Sequence, residues 1–132
     1  MALTLDQIQP GIVAYLDTAV LFADSRVRRI NPGEFRSGPF LCVDISPGET
    51  VWLVMTGTSV CGRKFQIKPS WWLQKHTKPQ FLNNAGQPLR GRDVAFVDAS
   101  HVDRMRRRPQ LTAEGLAAVR AEMRRRRPFE TA

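Results

Sequence analysis

Two apolar runs separated by a tight turn give this 132-residue chain its clearest order. Residues 39–45, carrying Phe40, Leu41, Cys42, Val43 and Ile45, and residues 50–56, carrying Val51, Trp52, Leu53, Val54 and Met55, have strand length and strand composition. Between them Ser46-Pro47-Gly48-Glu49 is turn chemistry, so the two runs are expected to pair as antiparallel neighbours. Upstream, Thr4 and Gln7 fit a capping box for a short helical lead-in that Pro10-Gly11 stops. Residues 12–16 are apolar and read as a buried strand. Residues 18–25 are ambiguous between one helical turn and a short strand, and residues 27–30 suggest an edge strand. Asn31-Pro32-Gly33-Glu34 is a turn, within a loop over residues 31–38 that is expected to lie beside a functional surface.

Downstream, residues 63–68 alternate polar with apolar as a half-exposed strand does. Trp71 and Trp72 are neighbours, so strand alternation puts one in the core and the other towards solvent. Residues 75–92 are polar, with a turn at 83–86, and residues 93–98 are apolar and read as a further strand that residues 100–103 either extend or leave. The last element is a helix: Thr112 is a good N-cap, Leu111 can staple to Leu116, and Leu116, Val119 and Met123 recur at helical spacing. Arg124 to Arg127 suit its C-terminal dipole and Pro128 ends it. Several short strands followed by one helix predict a mainly β fold, a small antiparallel barrel or half-barrel with a C-terminal α-helix. Residues 1–127 are expected to form one domain, and residues 128–132 a short tail.

Charge adds a partner class. The formal net charge is +8, and residues 104–132 carry nine Arg against three Glu, a net of +6, while residues 1–25 hold no Lys or Arg. Arginine's planar fork suits phosphates and base edges, which points to nucleic acid. No apolar run approaches the roughly 18 residues of a membrane span, and the first six residues lack the basic start of a signal peptide. A cytoplasmic protein with no membrane partner is expected. Cys42 and Cys61 are too few and too far apart for a metal site; both are expected to be reduced, Cys42 as a small core residue. His76 and His101 lack the spaced partners of a zinc site, and there is neither a phosphate loop nor a nucleophile elbow. No metal or other cofactor is expected, so any chemistry falls to arginine, hydroxyls, an acid or these histidines.

The order of motifs resembles the MazF/PemK-like toxins, the ribonuclease components of bacterial toxin–antitoxin pairs. Pro10-Gly11-Ile12-Val13 is similar to the family's opening strand motif. Gly38-Pro39-Phe40-Leu41-Cys42-Val43-Asp44 stands where the family has Arg-Pro and an apolar strand, and Val51-Trp52-Leu53-Val54-Met55-Thr56 where it has an apolar strand ending in threonine. Residues 93–104 resemble its last strand pair, and Leu111-Thr112-Ala113-Glu114 the start of its closing helix. In the family an arginine directly precedes the proline; here that place is Gly38, and the nearest arginine is Arg36. The resemblance implies an SH3-like barrel that cleaves single-stranded RNA without a metal, acts as a homodimer and is neutralised by a small antitoxin protein. It implies Arg36 and Thr56 as catalytic residues, the arginine stabilising a phosphorane and the threonine bonding a phosphate oxygen. Thr58, Ser59, Arg63, Trp72 and His76 would bind the substrate, with an indole stacking an unpaired base. His76 and His101 are the histidines available as a base, although a lone histidine is more often structural.

The missing arginine before Pro39 and the charge of residues 104–132 support a different reading. It is a non-catalytic module on the same barrel that grips nucleic acid, or a protein, through its arginine-rich C-terminal part.

Overall fold

A computed structural model describes residues 3–29, 38–56, 65–73, 80–82, 88–100 and 109–126. Its centre is the expected hairpin, β3 (Gly38–Ser46) and β4 (Glu49–Thr56). Ser46 stands opposite Glu49 across Pro47-Gly48, and Gly48 takes φ +75°, which a side chain would strain. β1 (Val13–Leu16) pairs with the other edge of β3, Val13 opposite Leu41. The far edge of β4 is divided. Its first half, Glu49 to Trp52, pairs with β7 (Leu89–Arg92), and its last two residues pair with β6 (Gln80–Leu82). β2 (Val27–Arg29) extends the sheet beyond β7, and β5 (Phe65–Ile67) extends it beyond β6.

The fold is therefore mainly β: the described residues form seven strands, all antiparallel, in one sheet. It differs from the expected barrel in that the sheet does not close among the described residues: β1, β2 and β5 end its branches.

The apolar runs of β3 and β4 are continuous because the sheet is covered on both faces. Phe40, Cys42, Trp52 and Val54 point to the first face, and Leu41, Val43, Val51, Leu53 and Met55 to the second. The first face is covered by the 3-10 turn Leu5–Gln7, by α1 (Thr18–Ala23) and by α2 (Asp93–Ala99). At its centre Trp52 is fully buried and stacks on Phe96 with ring centroids 5.2 Å apart. Trp52 Nε1 donates to the buried Thr50 hydroxyl at 2.8 Å, so the indole's polar atom is satisfied inside the core. The second face is covered by the 3-10 turn Pro69–Trp71 and by α3 (Ala113–Arg126).

The elements at either end form as their residues dictate. Thr4 and Gln7 make the reciprocal capping box. The Thr112 hydroxyl accepts from Gly115 N at 3.0 Å, the cap that starts α3, and Val119 is buried while Met123 packs at the edge of the core. The ambiguous residues 18–25 are helical, because the Asp17 carboxylate accepts from Ala19 N and Val20 N and so nucleates α1.

Three expectations are corrected. Residues 93–98 are not a strand but α2: Ala95, Phe96 and Ala99 are buried at helical spacing, and Asp93 lies in the first turn. An apolar run this short has no periodicity to separate the two states. Residues 75–92 contain two strands, β6 and β7, where only polar chain and a turn were expected. β7 was hidden because its four residues, Leu-Arg-Gly-Arg, show a period of two in charge rather than in hydrophobicity. Trp71 ends a 3-10 turn rather than lying in a strand.

Candidate nucleic-acid interface

At the turn end of the central hairpin the second face is not sealed by apolar side chains. A β-bulge interrupts the β3–β4 register: Cys42 stands opposite Trp52, but the next residue opposite a partner is Asp44, facing Val51. The extra residue puts both Val43 and Asp44 towards the second face. Next to Val51 on β7 stands Arg90. Strand alternation gives Leu89 to the first-face core and Arg90 to the second face. α3 crosses above, and its residues one turn apart, Arg120 and Arg124, close the hollow with Met123. The result is a cleft of about 210 Å³ with three arginines and one carboxylate on its walls.

The arginines are held differently. Arg120 Nε donates to the carbonyl of Val43, the extra residue of the bulge, at 3.0 Å, and Nη2 stands 3.5 Å from Asp44 Oδ1. The short bond is the one to the carbonyl; the ion pair is loose and half exposed, worth little by itself. Arg90 and Arg124 have no carboxylate partner among the described residues. Along β2 and β7 the basic surface continues: Arg28 stands opposite Arg90, and Arg92 opposite Glu49. Arg28 Nη2 reaches Glu49 Oε1 at 2.9 Å. Five arginines (28, 90, 92, 120, 124) against Asp44 and Glu49 leave this surface three positive charges in excess. A walled cleft of net positive charge concentrates field on an incoming anion. Arg125, by contrast, is tied to Glu122 within α3.

Arg36, Thr58, Ser59, Arg63 and His76, with His101, lie outside the described residues, and so does the side chain of Thr56. The backbone does set one relation: the β3–β4 register runs as far as Phe40 opposite Val54, and Gly38 and Thr56 each lie two residues beyond that pair, at the open end of the hairpin. That end is about five residues, or roughly 17 Å, from Val51 in the cleft. Trp72, expected to offer its ring to a base, is only 5% exposed and packs in the second-face core. Its backbone forms a bridge with Leu111, which draws the ring inward. Trp71 is the half-buried indole, stacked on Phe65 with Lys68 Nζ 5.3 Å from its ring centroid.

The sequence reading missed Asp44, Arg90, Arg92 and Arg120 as site residues. Arg120 and Arg124 at i and i+4 on an otherwise Ala-rich helix carried a usable signal. Arg90 and Arg92 did not, because nothing local shows what their strand pairs with. Cys42 has no part in the site: it is buried, and burial pushes its thiol up to about 12, so it is an unreactive core residue. Among the described residues no group of three His, Cys, Asp or Glu stands close enough to hold a metal ion. No helix among them is long and apolar enough to cross a membrane. Compared with family models, with curated proteins and with solved structures, the chain matches none of them.

Proposed function

We propose that this protein binds nucleic acid through the arginine cleft between β3, β4, β7 and α3. One observation carries the reading: Arg90 and Arg124 come from separate elements, face one hollow and have no acid of their own there. An anion repeating along a chain is the ligand that such a cleft and its extension along Arg28 and Arg92 suit. The test is fluorescence anisotropy of a labelled single-stranded oligonucleotide across a salt series. Each phosphate contact contributes about 0.7 to the slope of log affinity against log salt for a single strand. Arg90→Ala with Arg124→Ala is expected to lower that slope by about 1.4. Absence of binding at low salt, or a slope that the double variant leaves alone, would remove the reading.

A second reading, RNA cleavage, draws on Gly38 and Thr56 both lying at the open end of the hairpin, two residues beyond the last β3–β4 pair. The ribose 2′-oxygen attacks the adjacent phosphorus, the bond to the 5′-oxygen breaks, and the proton lost from the 2′-hydroxyl is balanced by one gained at the leaving oxygen. Arg36 supplies positive charge to the phosphorane and Thr56 bonds a phosphate oxygen. A homodimer held by a small antitoxin protein belongs to this reading. Incubation of RNA with the protein in EDTA tests it: intact RNA, or cleavage that survives Arg36→Ala and Thr56→Ala, counts against it.

A further inference from the structure

The acid in the cleft is out of place for a surface that only grips phosphates. Asp44 reaches it because of the bulge. Continued without interruption, the register that sets Cys42 opposite Trp52 would set residue 44 opposite Thr50, whose side chain belongs to the first face. The extra residue sets Asp44 opposite Val51 instead, on the side of Arg90, Arg120 and Arg124. A one-residue shift of this kind moves a side chain from one face of a sheet to the other. The carboxylate is 65% exposed. Its Oδ1 accepts from Ile45 N at 3.0 Å and lies 3.5 Å from Arg120 Nη2, while Oδ2 has no partner among the described residues. Arg120 does not depend on this acid, since its short bond is to the Val43 carbonyl.

We propose that Asp44 is the base-reading residue of the cleft and that it selects an unpaired guanine; the inference rests on the nucleic-acid reading above. An ionised carboxylate only accepts hydrogen bonds. On the edges that bases use for pairing, guanine alone presents two adjacent donors, N1–H and the N2 amino group. Cytosine and adenine present one amino donor beside an acceptor nitrogen. Uracil presents one N–H between two carbonyls, which repel a carboxylate. Two parallel donors on two carboxylate oxygens make a bidentate match, the geometry that discriminates bases most strongly. That edge is free only in a single strand, so the ligand is unpaired nucleic acid. Arg90 and Arg124 take flanking phosphates, and Arg120, fixed by its carbonyl, sets the wall beside the base.

The test compares a short oligouridylate with the same strand carrying one central guanosine, and with one central inosine, which lacks the N2 amino group. The protein is expected to bind the guanosine strand about tenfold more tightly than oligouridylate, with the inosine strand in between. Asp44→Asn keeps an acceptor for Ile45 N. It is expected to erase the guanosine preference and, by removing a negative charge beside the phosphates, to bind oligouridylate more tightly than the parent does. Equal affinity of the parent protein for all three strands would overturn the role of Asp44 while leaving phosphate binding in place. A guanosine preference that persists in Asp44→Asn would overturn it as well. Failure to bind any strand would remove both this inference and the reading beneath it.

Discussion

The two faces of the sheet are built from the same strands and finished differently. On the first, Trp52, Phe96, Phe40, Leu16 and Leu21 are wholly buried, the polar atom of Trp52 is bonded to Thr50, and two helices and a 3-10 turn lie over them. On the second, the core of Leu41, Leu53, Ile67 and Val119 is as well buried at its middle. Towards the hairpin turn it gives way to Arg90, Arg120, Arg124 and Asp44. The first face also keeps a hollow, about 400 Å³ between the Leu5–Gln7 turn and the hairpin turn, but among the described residues its walls carry Asp93 and no basic side chain. A face whose covering helix turns basic halfway along keeps a stable half and gains a charged cleft beside it. α3 shows the change within one element: Gly115 and Val119 pack inward, and Arg120 and Arg124 line the opening.

The largest effect should come from the centre of the first face. Trp52→Ala removes a fully buried indole that stacks on Phe96, and is expected to lower stability by about 3–5 kcal/mol in urea unfolding. Oligonucleotide affinity per folded molecule should be kept. Loss of affinity without loss of stability would break the division between the faces.

Next is the stable half of the second face. A Cβ on Gly115 would lie 2.6 Å from Trp71 Cβ and 2.9 Å from its carbonyl oxygen. Gly115→Ala therefore pushes α3 off the 3-10 turn and is expected to cost about 1–3 kcal/mol, read as a lower denaturant midpoint. An unchanged midpoint would show that this half of the face is loosely packed.

Smaller in stability, but sharp in function, is Arg90→Gln. The side chain has no carboxylate partner among the described residues, so thermal unfolding should stay within about 0.5 kcal/mol of the parent. The salt slope of oligonucleotide binding should fall by about 0.7. A large stability loss with no change in slope would assign Arg90 to the core.

The smallest effect is electrostatic and belongs to the rim of the first face. Hydrogen bonds from the Arg26 side chain, then from its backbone N–H, hold the Asp24 carboxyl at about 2, below its ordinary 3.8. A group with its folded value depressed contributes stability that is complete above the ordinary value and is lost as pH falls through the folded one. Unfolding midpoints followed from pH 5 to pH 2 should therefore fall slightly less in Asp24→Asn than in the parent. The pair lies at the surface, Arg26 45% and Asp24 17% exposed, so solvent screening keeps the difference small.

Much of this architecture was legible because its signals are local. The hairpin follows from two apolar runs and Pro47-Gly48, whose glycine takes the positive φ the turn needs. The first cap follows from Thr4 and Gln7, and α3 from Thr112 and the spacing of Leu116, Val119 and Met123. The mainly β class needed no more than these elements and their order. What misled was a short apolar run with no period, residues 93–98, and a strand, β7, that owes its existence to its partners β2 and β4.

The candidate site divides in the same way. The sequence by itself determined that the protein is basic, that its positive charge gathers towards the C-terminal part, and which residues carry the fold's central pairing. Only the tertiary structure decided which arginines share a cleft. Arg90 and Arg120 are thirty positions apart and meet because β7 pairs with β4 while α3 packs over the same face. Only the tertiary structure placed Asp44 among them, since a bulge is defined by the mismatch between two strands and neither strand shows it alone. Secondary structure is set by neighbours a few residues away, whereas a charged cleft is set by which surfaces the packing of distant elements leaves open.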